Sequence, residues 1–124
     1  MGEIKTFEDL EVWKKGCQLS VEIITQFQTF PITALKDQIQ RSVLSIPSNI
    51  AEGAEKDSTA DYLRFLRYSK GSCGELRTQL YIAQRVSEQL NINTKLDLPK
   101  NIEETKIISR MLQALINSLN SKKR

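Results

Sequence analysis

The first residues that could support chemistry are four carboxylates close together in the sequence, Glu52, Glu55, Asp57 and Asp61. Carboxylate oxygens can hold a divalent cation that assists phosphodiester cleavage. A metal-dependent nuclease is therefore one interpretation of this segment. Acidic residues are also favoured at helix starts, so a solvated turn followed by an N-cap explains the same residues. We favour the turn and keep the nuclease as an alternative.

The residues needed for nucleophilic catalysis are largely missing. The chain has no histidine, which removes Ser–His and Cys–His pairs and the commonest metal ligand. Cys17 and Cys73 lie in helical patterns without CxxC spacing, and we interpret them as buried thiols. No glycine-rich phosphate loop precedes a helix. We therefore predict a protein that is not an enzyme and needs neither cofactor nor metal.

Basic residues of the third predicted helix are the candidate binding site. Residues 1–58 carry six basic and nine acidic side chains, whereas residues 59–124 carry twelve and six. At about 100° per residue, four cations share one arc and a fifth lies to one side: Arg67, Lys70, Arg77 and Arg85, with Arg64 beside them. Such a row could bind RNA or another nucleic acid through phosphates, each contact adding salt-dependent affinity. A solvated face or a subunit contact is the alternative.

Polar residues at core-like spacing form a second constellation. They lie on the second and third predicted helices: Gln38, Ser42, Asn49, Ser72, Glu75 and Gln79. A ligand pocket would need charged or aromatic groups converging on a cavity, and the sequence shows none. We interpret these residues as a hydrogen-bonded network that fixes helix register or a subunit contact.

Four amphipathic helices must position these residues. Apolar side chains recur at helical spacing over residues 7–29, 33–54, 59–89 and 98–120, with short connections and no strand pattern. The pattern predicts a single all-α domain over residues 1–124, an antiparallel up-down-up-down four-helix bundle. No apolar run reaches the roughly 18 residues of a membrane span. We expect a cytoplasmic protein that does not bind a membrane.

A proline lies inside the second predicted helix. The apolar pattern continues across Pro47 through Leu35, Ile39, Val43, Ile46 and Ile50. A proline within a helix removes one backbone hydrogen bond and crowds the carbonyl one turn earlier. We predict a kinked but continuous helix, in which Ser45 or Ser48 satisfies the freed backbone groups.

Several motifs resemble those of a known family. They are Phe7-x-x-Leu10-x-Val12-Trp13, Leu35-x-x-Gln38-x-x-Arg41, the run from Ser45 to Gly53, Tyr62-x-x-Phe65-Leu66, Ser69-x-Gly71-Ser72 and Glu75-Leu76-x-Thr78-Gln79-Leu80. Over about residues 7–120 the chain is similar to the four-helix-bundle proteins encoded in intervening sequences of bacterial 23S ribosomal RNA genes. The resemblance implies a non-enzymatic bundle that assembles into rings of five chains.

The resemblance also implies partners. A related branch, the accessory variability proteins of diversity-generating retroelements, binds nucleic acid and a reverse transcriptase through a basic surface. We therefore expect a homopentamer that could bind RNA, with a reverse-transcriptase adaptor as the alternative. Leu63 and Tyr81 lie in the same arc as the basic residues, which favours partial burial of that arc against another subunit.

Overall fold

Four α-helices make up most of the chain. The computed structural model describes residues 6–92 and 95–122. Within them lie α1 (Glu11–Gln26), α2 (Thr33–Ala54), α3 (Thr59–Leu90) and α4 (Leu98–Lys122), and no strand. The predicted all-α fold with four helices is confirmed. None of the helices in these two ranges is both long and apolar enough to cross a membrane.

The first helix is shorter than predicted. Phe7–Asp9 form a separate 3-10 turn, and Leu10 has an extended backbone with φ −74° and ψ 125°, so the α-helix begins only at the next residue. At its other end, the Phe30 N–H donates to the carbonyl of Phe27 at 3.0 Å, which closes a turn. Pro31 follows this turn, and the residue before a proline is disfavoured in the helical region. The predicted helix over residues 7–29 is therefore reduced at both ends.

All four helices contribute to one hydrophobic core. Helix α2 packs along α3, α3 along α4, and α1 against both α2 and α4. The fully buried aliphatic side chains include Ile23, Ile39, Val43, Ile46, Ile50, Leu66, Leu76, Leu80, Ile108 and Leu112. Burying each of these contributes about 1.5–3 kcal/mol relative to leaving it in water. This shared core fixes which face of each helix remains available for binding.

Leu63 belongs to this core. Its side chain is only 2% exposed, so it is not available for the subunit contact that its position in the basic arc suggested. Helix α3 packs against both α2 and α4, and a helix with two neighbours buries a wider arc than a helix with one. Tyr81, by contrast, is 43% exposed.

Helix α2 continues through Pro47, as predicted. The carbonyl of Val43, which loses its usual donor because proline has no N–H, lies 3.2 Å from the hydroxyl oxygen of Ser20 on α1. The same hydroxyl lies 2.8 Å from the Gly16 carbonyl and can donate to either. A Cβ at Gly16 would lie 3.4 Å from the Pro47 ring, so α1 approaches the proline closely. The hydroxyl within reach of the freed carbonyl therefore lies on a neighbouring helix, not at Ser45 or Ser48.

Candidate nucleic-acid interface

Three of the five predicted basic residues are exposed on α3. The helix begins at a defined point, because the Asp61 N–H donates to the Ser58 side chain at 3.1 Å. From this start, helical geometry brings Arg64, Arg67 and Arg85 to one side of the helix, and all three are exposed. Their guanidinium groups can contact phosphate without any change in the core.

The other two basic residues contact α4. The Lys70 ammonium donates to Gln113 Oε1 at 2.7 Å, and Arg77 Nε donates to Thr105 Oγ1 at 2.9 Å. Both cations are half-buried, and Thr105 is fully buried. The predicted row therefore divides into an exposed part and a part that joins α3 to α4.

An exposed aromatic ring lies next to Arg64. Tyr68 is 50% exposed, and its ring meets the Phe65 ring edge to face, with centroids 5.4 Å apart. The Arg64 guanidinium carbon lies 4.8 Å from the Phe65 centroid and 5.9 Å from the Tyr68 centroid. Arg64 also pairs with Asp61 at 3.0 Å and, by this hydrogen bond, holds the pKa of the Asp61 carboxyl below its ordinary value.

An open depression of about 460 Å³ lies between α3 and α4. Its lining combines cationic, amide and apolar groups: Arg67, Lys70, Gly71, Gln113, Ile116 and Asn120. A Cβ placed on Gly71 would meet no atom within 4 Å, so the rim beside the two cations is unobstructed. Two cations and two amides at one opening suit an anion such as a phosphate.

The predicted polar network is present in part between α2 and α3. The hydroxyls of Ser45 and Ser72 lie 2.6 Å apart, and the buried Ser42 hydroxyl lies 3.5 Å from Glu75 Oε1. Ser45 also lies 2.7 Å from the Ser42 carbonyl. The Ser45–Ser72 and Ser42–Glu75 contacts cross the interface of the two helices, so they set the position of one along the other.

Three predicted members of the network behave differently. Gln38 is exposed, and Asn49 donates to the carbonyl of Ser45 at 2.8 Å within its own helix. Gln79 is half-buried, and within the described ranges its Oε1 has no hydrogen-bond partner. In the single chain Gln38 does not join α2 to α3, because a long side chain at the edge of a helix interface can reach water. Its place in a contact with a neighbouring subunit stays a prediction.

Two polar links between helices were not predicted. The fully buried Ser69 on α3 donates to the carbonyl of Ile46 at 2.8 Å. Where α1 ends and α4 begins, Gln26 Oε1 accepts from the Asp97 N–H at 3.1 Å and from Asn101 Nδ2 at 2.8 Å. A serine inside an apolar arc is a sequence signal for the first link. The second joins residues far apart in the sequence, and no local pattern indicates it.

The four carboxylates near the α2–α3 turn have different surroundings. Glu52, Glu55 and Asp57 are exposed, and Asp61 is paired with Arg64. In the part of the chain that the structure describes, no three His, Cys, Asp or Glu side chains group in a way that could hold a metal ion. Glu52 lies in α2, Glu55 and Asp57 lie in the connection to α3, and Asp61 lies in the first turn of α3.

Comparison with known proteins places the chain in a family. The model of the 23S rRNA-intervening sequence protein family matches residues 8–114. The chain belongs to this family. The resemblance to the intervening-sequence proteins inferred from the sequence motifs is therefore confirmed, and the relation to the retroelement branch stays a prediction.

A solved structure shares the fold of this family member. It is the crystal structure of a protein of unknown function from the S23 ribosomal protein family of Bacteroides thetaiotaomicron. The match has a TM-score of 0.74 at 22% identity and covers 86% of this chain and 95% of that chain. At this identity the likeness shows the fold alone. No curated protein matches the sequence.

Proposed function

We propose that this member of the 23S rRNA-intervening sequence protein family is a non-enzymatic, oligomeric four-helix bundle that binds RNA through α3. The observation that carries the proposal is the exposure of Arg64, Arg67 and Arg85 on one side of that helix. Within the described ranges, neither Arg67 nor Arg85 is paired with a carboxylate. Unpaired exposed arginines are suited to phosphate, because their planar guanidinium groups can bind two of its oxygens.

The proposed bundle is antiparallel, with up-down-up-down topology. Consecutive helices contact each other along the chain, and α1 also contacts α4. The connections are residues 27–32, 55–58 and 91–97. Connections this short favour antiparallel neighbours, since a parallel neighbour needs a crossover as long as the helix. This topology closes α1 and α4 against each other on the side of the bundle away from the α2–α3 contact.

The proposed assembly is a homopentamer in the cytoplasm. Tyr81 and Ile82 are 43% and 47% exposed on α3, and a second copy of the chain would cover them. The family resemblance supports five chains. A ring would repeat Arg64 and Arg67, which lie several turns of α3 before this contact, around the assembly. Several weak contacts would then act on one RNA molecule through their effective concentration.

The test is RNA binding by a charge-neutralised variant. We expect the wild type to bind a fluorescently labelled structured RNA and to lose affinity steeply between about 50 and about 200 mM salt. Replacing Arg64, Arg67 and Arg85 with glutamine should lower the affinity at least tenfold and flatten the salt dependence. Lys70 and Arg77 are left intact, because their contacts with α4 contribute to stability.

A matched control removes the same charge elsewhere. Lys14, Arg41 and Lys100 are exposed on the other three helices, and their replacement with glutamine should leave RNA binding within a few-fold of the wild type. Equal losses in both triple variants would show only a response to net charge. Absence of binding by the wild type at low salt would refute RNA binding.

A protein–protein adaptor is the second candidate. Exposed Tyr81 and Ile82 suit a protein partner as well as a second copy of the chain, and the resemblance to the retroelement branch suggests a reverse transcriptase. This function would be favoured if the wild type bound no RNA and a purified reverse transcriptase bound to the surface around Tyr81 and Ile82.

A further inference from the structure

Arg64, Arg67 and Arg85 form a basic surface on α3. At one end of this surface an exposed aromatic ring, Tyr68, lies beside the Arg64 guanidinium. The Phe65 ring meets the Tyr68 ring edge to face at 84°, which supports the orientation of the more exposed ring. The Arg64 guanidinium lies over both rings, and its ion pair with Asp61 holds it there. Tyr68 therefore presents an oriented aromatic surface to solvent beside a positive charge.

The depression between α3 and α4 lies beside the same turns of α3, on the side of the helix that faces α4. Lys70 lies in its lining, with the ammonium held at 2.7 Å from Gln113 Oε1. Arg67 lines the same depression and is exposed. An ammonium can donate three hydrogen bonds, so Lys70 keeps donors for an anion when one of them is used by Gln113.

A continuous path joins the aromatic ring to the depression. At about 100° per residue, the order around the helix is Tyr68, Arg64, Gly71, Arg67 and Lys70. Gly71 lies in the middle of this order, and a Cβ there would meet nothing within 4 Å. The path runs about 15 Å around a helix that is about 10–12 Å across. A few nucleotides of extended backbone fit this length.

We propose that this path binds single-stranded RNA, with Tyr68 stacked on an unpaired base and Arg67 and Lys70 holding a neighbouring phosphate. The proposal rests on the RNA binding proposed above and names the form of RNA that the surface recognises. The bases of a duplex stack on one another and leave mainly backbone and groove edges to a protein. An exposed aromatic face gains a partner only from an unstacked base.

The aromatic ring distinguishes RNA from an acidic peptide. Carboxylates of a peptide would neutralise Arg67 and Lys70 but would leave the face of Tyr68 in water. A nucleotide satisfies both features, because it carries an aromatic base and a phosphate one backbone unit apart. This match of two features on one path is what carries the proposal beyond a general affinity for anions.

The test compares three labelled probes in anisotropy titrations of the full chain. They are a short oligouridine, an RNA duplex of the same length, and a sugar–phosphate oligomer of that length without bases. The variants are Tyr68→Leu, which removes the aromatic face, and Tyr68→Phe, which keeps it. Arg67→Gln tests the phosphate contact, and circular dichroism checks that each variant is folded.

We expect the wild type to bind oligouridine more tightly than the duplex or the base-free oligomer. Tyr68→Leu should weaken binding of oligouridine roughly 5- to 150-fold, the range measured for loss of one stacked base, and leave the other two probes unchanged. Tyr68→Phe should behave as the wild type. Arg67→Gln should weaken binding of all three probes.

The contrary outcomes are separable. Equal affinity for oligouridine and duplex, unchanged by Tyr68→Leu, would overturn this proposal and leave RNA binding standing. Failure of every probe to bind the wild type would overturn both. A lower oligomer mass for Tyr68→Leu would assign the ring to a subunit contact and would also overturn the proposal.

Discussion

A serine hydroxyl close to the Val43 carbonyl explains how a proline is accepted in the middle of α2. A helix proline leaves the carbonyl four residues earlier without its donor, and a buried carbonyl without a partner is costly. Here the hydroxyl of Ser20 on α1 lies 3.2 Å from this carbonyl and can donate to it. The side chain and the proline therefore act as one unit, although they lie on different helices.

Replacing Ser20 with alanine should destabilise the protein by about 1–3 kcal/mol, the cost of a buried polar group that loses its partner. The loss should be smaller when Pro47 is also replaced by alanine, because the new backbone N–H can donate to Val43. Urea unfolding of the wild type, both single variants and the double variant measures this coupling. An identical cost of Ser20→Ala in both backgrounds would contradict the explanation.

The two cysteines differ in reactivity. Burial raises the pKa of Cys73 to about 12, although nearby Arg77 opposes the shift. Burial also raises the pKa of the less enclosed Cys17. Because the thiolate is the reactive form, we expect iodoacetamide at about pH 8 to modify Cys17 slowly and Cys73 only after unfolding.

Mass spectrometry of the modified protein, with Cys17→Ser as a control, tests this expectation. Rapid modification of Cys73 in the folded protein would refute it.

The raised pKa of Cys73 also makes the stability of the protein depend on pH. The pKa of Cys73 is raised above its unfolded value of about 8.5. The contribution of the buried, neutral thiol to the free energy of unfolding is therefore fully present below that pH. It is lost as the pH rises toward about 12.

At the scale of helices, glycine marks close approach in α2 but not in α3. A Cβ at Gly53 would lie 2.8 Å from Phe65 Cβ and 3.2 Å from the Tyr62 carbonyl oxygen. Cβ atoms at Gly71 and Gly74 would meet nothing within 4 Å. The glycine of α2 therefore allows α3 to approach, whereas the two glycines of α3 face open space in the single chain.

Gly53→Ala should destabilise the protein by about 1–3 kcal/mol, because the added methyl forces the two backbones apart. Gly71→Ala should stabilise it by about 1 kcal/mol, the difference in helix propensity between the two residues at an exposed position. Thermal and urea unfolding measure both effects. A Gly53→Ala protein as stable as the wild type would show that the α2–α3 contact can relax.

The sequence was sufficient to predict the helices but not their contacts. Periodicity reports which residues of one helix share a face, and it identified α2 and α3 to within a residue of each end. It carries no information on how far one helix slides along another. That shift decides that Lys70 meets Gln113 and Arg77 meets Thr105, while Gln38 remains in water. Periodicity also cannot show that the hydroxyl within reach of the Val43 carbonyl lies on α1.

At the scale of the whole molecule, the exposed apolar side chains of α3 bear on assembly. Tyr81 and Ile82 are consecutive residues of α3, about 100° apart around the helix, and each is nearly half exposed. Burying such side chains against another subunit is favourable by about 25 cal/mol per Å². In the proposed ring this contact would recur at every interface, so a change that weakens each contact by a small amount would be multiplied around the assembly.

Light scattering of the wild type at micromolar concentration should therefore report an assembly, with a mass corresponding to five chains. Ile82→Lys should reduce the mass, because a charge buried at the contact loses its hydration without gaining a partner. Leu90→Lys is the matched control: Leu90 is 58% exposed at the end of the same helix, and its replacement should leave the assembly intact. Both variants should keep the helical content of the wild type, since neither side chain belongs to the core. A wild type that scatters as a monomer would exclude the ring, and an unchanged mass for Ile82→Lys would place the subunit contact on another face.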